Sequence, residues 1–322
     1  MTDGTRGPEQ PAPIETVLVN TPLVTIGRFR LEAAHRDFQT LGAISRHCFV
    51  FPRRAVWIQH RDQAPFVADP TRVPLYNPAA EYRRERIDPV GDHCEWYGVA
   101  ADVVRQVVGR WDPAAAEADV AIFRRSHASV SSKLYLSQRR LYHYVRQTDR
   151  PDLLYVEEAV LNLLADVVAC SARIPDGGTA RDPGRRRRQQ HAAAEAACAD
   201  LNRCFWRSDS LSAIAGRVGV SVFHLCRLFR RATGGTIHQH REQLRLRASL
   251  HAVMDTDEDL LSIALRLGYS GHSHFTAAFR RCFSLTPSAL RRGRRTNSVT
   301  RDLLRKLDTQ VRPRLSKAAE IS

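Results

Sequence analysis

Between residues 211 and 290 one short unit is written twice, and a repeated unit restricts this region to two copies of one small structure. The first copy, from Leu211 to Thr236, reads LSAIAGRVGVSVFHLCRLFRRATGGT; the second, from Leu260 to Pro287, reads LLSIALRLGYSGHSHFTAAFRRCFSLTP. Up to a glycine turn the copies align at an offset of 49, pairing Ile214 with Ile263, Ala215 with Ala264, Arg217 with Arg266 and Gly219 with Gly268. Beyond it the offset is 50, pairing Leu225 with Phe275, Phe229 with Phe279, Arg230 with Arg280 and Arg231 with Arg281. The second copy therefore carries one extra turn residue.

Each copy has the parts of a helix-turn-helix, two short helices joined by a tight turn. Gly219 and Gly268 stand where a left-handed residue closes the first helix, and Ser221 and Ser270 are placed to cap the second. In the second helix of copy one, Leu225 and Phe229 form an inward seam, leaving Phe223, Cys226, Arg227, Arg230 and Arg231 on other faces. In copy two Phe275 and Phe279 face inward, and His272, Ser273, Thr276, Ala277, Arg280 and Arg281 are free. A helix with an apolar seam and a basic free side suits a DNA major groove. A single pair of this kind is equally well a packed helical hairpin with solvated arginines; two copies joined by an unbroken amphipathic segment, Ile237 to Met254, favour the groove.

These residues carry a resemblance. RLRASL (Arg245 to Leu250), IALRLGYS (Ile263 to Ser270) and HFTAAFRRCFSLTPSALRR (His274 to Arg292) resemble, in order, the DNA-binding domain of the AraC/XylS family of bacterial transcription regulators. The resemblance covers residues of about 200 to 292. It implies double-stranded DNA as partner, with base contacts from Phe223, Cys226 and Arg227 in the first unit and from His272, Ser273, His274 and Ala277 in the second. It also implies an N-terminal cupin-like barrel followed by two helices that senses a small-molecule effector or forms a homodimer, and contact with RNA polymerase. The chain departs from the family pattern at Ala277, aligned with Arg227, where many members place an arginine. An arginine discriminates guanine by roughly 1–3 kcal/mol, whereas alanine reaches only a thymine methyl. Arg227 is expected to dominate readout, with Arg280 and Arg281 holding phosphates.

Charge distribution agrees. Residues 1–170 hold 21 Lys+Arg against 21 Asp+Glu, so the whole formal excess of +15 lies in residues 171–322, with 28 against 13. A solubilising excess would be spread over both halves, whereas a phosphate-binding surface confines it.

The first half reads as strands. Val17 to Val19, Val24 to Ile26, Cys48 to Phe51, Val56 to Ile58, Val73 to Tyr76 and Cys94 to Val99 are β-branched or aromatic runs separated by turn formers, which predicts a small barrel or sandwich. Helical spacing follows over Lys133 to Arg146 and Leu153 to Cys170, the latter with an apolar stripe that fits either its own barrel or a dimer seam. The expected layout is α+β: an arm over 1–15, a cupin-like sensor or dimerisation domain over 16–171, a linker over 172–190, an all-α bipartite helix-turn-helix domain over 191–295 and a tail over 296–322. Within the linker Arg185 to Arg188 read as a solvated tether or a non-specific DNA anchor. Residues 299–310 have the spacing of a short amphipathic helix.

Seven scattered cysteines without a Cys-x-x-Cys pair suggest neither a disulfide framework nor a zinc ribbon, and no apolar run of membrane-spanning length occurs. A cytoplasmic, nucleoid-associated protein with no membrane partner is expected. His47, His60, His93 and Glu95 could be imagined as cupin metal ligands, but their spacing argues against a metal site. Of the barrel aromatics Trp57, Phe66, Tyr76, Tyr82 and Trp96, the residues Trp57, Tyr76 and Trp96 are taken as effector-lining candidates, against the alternative that they are ordinary core. The basic pairs Arg53-Arg54 and Arg83-Arg84 read as solvated faces with salt bridges. No catalytic constellation, cofactor motif or phosphate loop stands out, so an enzyme is not expected. Two other readings stay open: an architectural DNA-binding protein of low specificity, and a cupin metalloenzyme fused to a DNA-binding module.

Overall fold

A computed structural model describes the chain over residues 14–39, 44–61, 63–117, 121–172 and 184–295. The tail at 296–322, the linker over 173–183 and the arm up to residue 13 lie outside the described residues. The strands are β1 (Glu15–Asn20), β2 (Val24–Leu31), β3 (His47–Pro52), β4 (Val56–His60), β5 (Phe66–Ala68), β6 (Arg72–Tyr76), β7 (Tyr82–Arg86), β8 (Asp92–Val99) and β9 (His127–Ser129). All six sequence-read runs are strands; β5, β7 and β9 are additions, too short or too charged for their pattern to show. The helices are α1 (Ala101–Gly109), α2 (Pro113–Ala116), α3 (Ser132–Gln147), α4 (Leu153–Ala172), α5 (Arg185–Cys204), α6 (Leu211–Val218), α7 (Val222–Thr233), α8 (Ile237–Asp255), α9 (Leu260–Arg266), α10 (His272–Phe283) and α11 (Pro287–Arg295). Arg185 to Arg188, expected in the linker, form the exposed first turn of α5. Among the described residues no single helix is long and apolar enough to cross a membrane.

The expected cupin-like barrel is not closed. The strands form a six-stranded antiparallel sheet, β1-β2-β8-β3-β6-β9, and a separate three-stranded sheet, β5-β4-β7. One reason is visible at the edge of β5, where the Val67 N–H donates to the carboxylate of Glu195 in α5 at 2.8 Å. A helix side chain thus takes an amide that barrel closure would give to a strand.

Two-residue periodicity then sorts the side chains. In the small sheet Val56, Ile58, Phe66 and Ala68 share one apolar cluster, whereas Trp57 and Val67 between them pack with α5, α6 and α7. In the large sheet Val24, Ile26, Phe49, Phe51, Tyr97 and Val99 pack with α3 and α4, while Cys48, Val50, Pro52, Cys94 and Trp96 turn toward the other sheet. The α4 stripe of Val156, Val160, Leu164 and Val167 is fully buried in this same core, so it packs on its own domain.

Three polar clusters join the sheets to the C-terminal helices. Glu95 of β8 is ion-paired with Arg53 Nε at 2.7 Å and accepts from Arg139 Nη1 at 2.9 Å; Asp255, the last residue of α8, accepts from Arg139 Nη2 at 2.9 Å and also pairs with Arg53. Glu195 of α5 pairs with Arg72 at 2.6 Å. At the corner between β5 and β6, Asp69 accepts from Asn202 of α5 at 2.8 Å and faces His240 of α8 at 3.3 Å. The fully buried Arg247 of α8 donates to the carbonyls of Pro70 and Val130. Burial and charge pull in opposite directions on Asp69, and its neighbours His240, Arg72 and Thr71 hold its carboxyl well below the usual carboxylate range.

His47 and His60 are packed on aromatic rings. His60 stacks on Tyr76 with ring centroids 4.9 Å apart, and His47 meets Phe123 edge-on at 5.8 Å. Among the described residues no group of three or more His, Cys, Asp or Glu is placed to hold a metal.

Burial holds the His60 ring at about 4, and burial with Arg53 alongside holds His93 at about 3, both below the ordinary 6.5. Each is neutral in the fold and takes up a proton once unfolded, so their stabilisation is fully present above the unfolded value and is lost as pH falls from about 6.5 toward about 4. Urea unfolding across that window should show stability falling on acidification. The variant His60→Phe, which keeps the ring stack, should flatten the slope by up to about 1.4 kcal/mol per pH unit.

Candidate nucleic-acid interface

Both repeats fold as helix-turn-helix units, the first with the caps the sequence predicts and the second with a different start to its second helix. In the first, the Ser210 hydroxyl accepts from the Ala213 N–H at 3.2 Å and α6 ends at Gly219 with φ +75°. The Ser221 hydroxyl accepts from the His224 N–H at 3.3 Å to start α7, which closes at Gly234 with φ +76°. In the second, the Asp259 carboxylate caps α9, and Gly268 with φ +82° lies at the turn. The expected cap at Ser270 is not made. Gly271, the extra turn residue, takes the N-cap place of α10, and the Ser270 hydroxyl meets His274 Nδ1 at 3.1 Å instead.

Leu225, Leu228 and Phe229 anchor α7, and Phe275, Ala278, Phe279 and Phe283 anchor α10. The opposite faces are open. Phe223, Cys226, Arg227, Arg230 and Arg231 are all exposed on α7, and His272, Ser273, His274, Ala277, Arg280 and Arg281 on α10. Phe223 is 78% exposed. The N-terminal half covers neither face.

The arginines divide by role. Arg217 and Arg266, equivalent in the two units, are both engaged: Arg217 with Asp200 at 2.8 Å and Asp209 at 2.7 Å, Arg266 with Glu258 at 2.8 Å. Arg227, Arg230, Arg231, Arg280 and Arg281 make no ion pair among the described residues. Their charge faces solvent beside the exposed polar residues.

Sequence reasoning missed the residue that fixes one unit against the other. Arg245 of α8 donates to the carbonyls of Phe205 at 2.7 Å and Arg207 at 3.0 Å, just before unit one, while its guanidinium lies over the ring of Tyr269, in the turn of unit two. Tyr269 in turn donates to Glu242 at 3.2 Å. The RLRASL match contains Arg245, but its carbonyl partners lie 38 to 40 positions away and leave no spacing signal.

A second candidate site is the cavity of about 620 Å³ between the two sheets. Of the effector-lining candidates, Tyr76 and Trp96 border it; Trp57 does not, because alternation along β4 gives Val56 and Ile58 to the cavity and turns Trp57 toward α5. Tyr82 is added. The walls otherwise mix aliphatic side chains with the polar Glu15, Asn20 and Ser45, with Asp92 paired to Arg84 at 3.2 Å and Arg46 donating to the Thr25 hydroxyl at 2.7 Å. The indole of Trp96 lies so close over β2 that a Cβ at Gly27 would run into it.

Residues 214–293 match a family model described as a helix-turn-helix domain. The chain is 37% identical over 103 residues to the HTH-type transcriptional regulator GlxA of Rhizobium meliloti (strain 1021), covering 32% of each protein. It is 32% identical over 81 residues to the probable transcription factor PqrA of Proteus vulgaris, covering 25% of this chain and 66% of that one. The match thus spans about a third of GlxA. Among solved structures, ToxT from Vibrio cholerae O395 aligns over 84% of this chain and 98% of its own, at 8% identity and a TM-score of 0.33, too low to equate the two folds.

The two turn glycines differ in their surroundings. At Gly219 an added Cβ meets nothing, whereas at Gly268 it would collide with the Trp206 carbonyl and crowd the Arg245 guanidinium. Gly219→Ala should therefore cost only the left-handed strain of about 1–2 kcal/mol. Gly268→Ala should cost a further roughly 1–3 kcal/mol for overpacking. Urea unfolding of both full-length variants checks this, and equal losses would refute it.

Proposed function

From a C-terminal domain of the AraC/XylS type, we propose that the chain as a whole is a sequence-specific DNA-binding transcription regulator. The observation that carries the reading is the pair of recognition faces: two capped, core-anchored helices on one polypeptide, each with unpaired arginines and polar side chains turned outward. Inserted into successive major grooves, roughly 34 Å apart along the duplex, they would read two blocks of one site.

In this reading Arg227, with Phe223 and Cys226, reads bases from α7. On α10 His272, Ser273 and His274 lie toward the helix N-terminus, where base edges are met, and Ala277 offers only a methyl contact. Arg230, Arg231, Arg280 and Arg281 hold phosphates. The N-terminal half takes a small, mostly apolar effector into the cavity bordered by Tyr76, Tyr82 and Trp96, and supplies a homodimer contact. Contact with RNA polymerase and a cytoplasmic location belong to the same proposal, and the chain acts by binding rather than by catalysis.

Selection of random duplexes by the full-length protein tests it. A bipartite motif with blocks about one helical turn apart is expected, and Arg227→Ala should relax the first block, by roughly 1–3 kcal/mol at its guanine contact. Absence of any motif, with equal weakening on every duplex, would favour an architectural protein. On the selected site the logarithmic salt slope should be at least about 4, and Arg280→Ala should lower it by about 1 without changing the motif.

A further inference from the structure

The two recognition helices are anchored alike but present different surfaces. At the repeat offset of 50, Arg227 of α7 has Ala277 as its counterpart on α10. Around that alanine α10 carries an open hollow of about 680 Å³, with His272 and Ser273 at one end, Arg280 and Arg281 at the other, and Thr276 and Ala277 between them along the helix. The middle of the hollow is made of methyl groups. Ala277 has nothing else to offer. The Thr276 hydroxyl is buried and makes no hydrogen bond among the described residues, so this half-exposed side chain turns its methyl outward. Thr286, which closes the hollow from the start of α11, has its hydroxyl committed to the Ala289 N–H at 3.2 Å. His274 stays out of the hollow, held edge-on to Tyr269 and within 3.1 Å of the Ser270 hydroxyl.

Polar groups therefore stand only at the two ends, and they divide the work. Arg280 and Arg281 carry charge free to meet phosphates, which fix position without reading sequence. The apolar middle is left to the base edges. Guanine and adenine present only polar atoms in the major groove, and cytosine presents its N4 amine; thymine alone adds a methyl, beside its O4. A polar edge set against methyl groups loses its water and gains no partner. At the N-terminal end the exposed Ser273 hydroxyl can either donate or accept. It serves the O4 of thymine and the N4 amine of cytosine equally well. What remains to discriminate one pyrimidine from another is the C5 methyl.

We propose that the second recognition helix reads the C5 methyl group of a pyrimidine, on thymine and on 5-methylcytosine alike, through the hollow around Ala277. The proposal rests on the regulator reading, which places α10 in the major groove. Its consequence reaches past the choice among four bases: a site with cytosine at this position is bound weakly until that cytosine is methylated, so affinity for such a site responds to methylation of the DNA. Unit one, whose Arg227 seeks guanine, does not respond. Burying one methyl corresponds to about a fourfold change in affinity. A bidentate arginine on guanine gives about 5- to 150-fold. The methyl contact thus adjusts binding at a site that unit one has already chosen.

The test varies the DNA and keeps the full-length protein as it is. Three libraries of random duplexes are offered: one ordinary, one with uracil for thymine, and one with 5-methylcytosine for cytosine. The second block should favour thymine in the first library, lose that preference in the second, and accept thymine and 5-methylcytosine alike in the third. Guanine in the first block should persist throughout. On the selected site, a single uracil at the second-block position should weaken binding about fourfold and cytosine at least as much, and 5-methylcytosine should restore it. Ala277→Arg, a change on an exposed helix face, should move the second block to guanine and abolish the methyl effect. The duplex substitutions need no variant, so the result does not depend on the folding of Ala277→Arg. A selected motif bound equally with thymine and uracil overturns the methyl contact and leaves the regulator. No motif, with a preference for the ordinary library over the uracil library that Ala277→Arg removes, keeps the methyl contact and overturns the regulator. Neither motif nor preference overturns both.

Discussion

The fold depends on a closed ring of four alternating charges. Glu95 lies between Arg53 and Arg139, and Asp255 lies between the same two arginines from the other side. Three members belong to the N-terminal half and the fourth is the last residue of α8. Desolvating four charges is expensive, and such a group holds only because each carboxylate meets two guanidinium groups. Burial would raise the Asp255 carboxyl, yet the two arginines hold it below its ordinary range. Unlike an apolar contact, which tolerates sliding, this geometry fixes where the end of α8 sits. It also offsets the cost of a carboxylate at a helix C-terminus, where the macrodipole disfavours negative charge.

The same ring shows what a sequence can and cannot disclose. The repeats were legible because everything that makes them is local: serines before helices, glycines after them, and apolar residues three and four apart. The capped turns at Ser210, Gly219, Ser221 and Gly234 follow from neighbours a few positions away. Arg84 is buried and Arg53 half-buried, where solvated faces were expected; Arg53 meets Asp255, 202 positions on, whereas Arg84 pairs with Asp92 of the neighbouring β8. Arg83, the neighbour of Arg84 in β7, remains exposed, so alternation alone separates the two roles. Ser270 failed as a cap for a local reason that was visible, since the inserted Gly271 moves the helix start by one residue. Trp57 was misplaced because one strand offers two faces, and nothing local says which faces a cavity.

The open barrel has the same origin. Strand patterning located six strands correctly, but closure depends on whether the edge of β5 finds another strand, and Glu195, some 128 positions away, takes its amide first. The acceptor is charge-balanced by Arg72 and belongs to α5, the first helix of the C-terminal half. The hydrogen bond at the open edge of β5 is therefore also one of the contacts that dock the two halves. A barrel closed on itself would have left α5 with no edge to bind.

This changes the meaning of the positive charge. A formal excess of +15 suggests a broadly basic surface, yet Arg203, Arg217, Arg245, Arg247 and Arg266 are all engaged within the protein. Buried or paired arginine contributes little to counterion release, which depends on cations free to meet phosphates. On the recognition helices that leaves Arg227, Arg230 and Arg231 on α7 but Arg280 and Arg281 on α10, so the two units are unequal by one cation. The missing cation is at Ala277, the position facing base edges rather than phosphates, so the inequality lies in readout more than in attraction. In the proposed reading unit two holds the duplex about as firmly as unit one while discriminating less. A regulator built this way gains specificity from where unit two is held as much as from what it touches, and that position is set by the helices and sheets behind it.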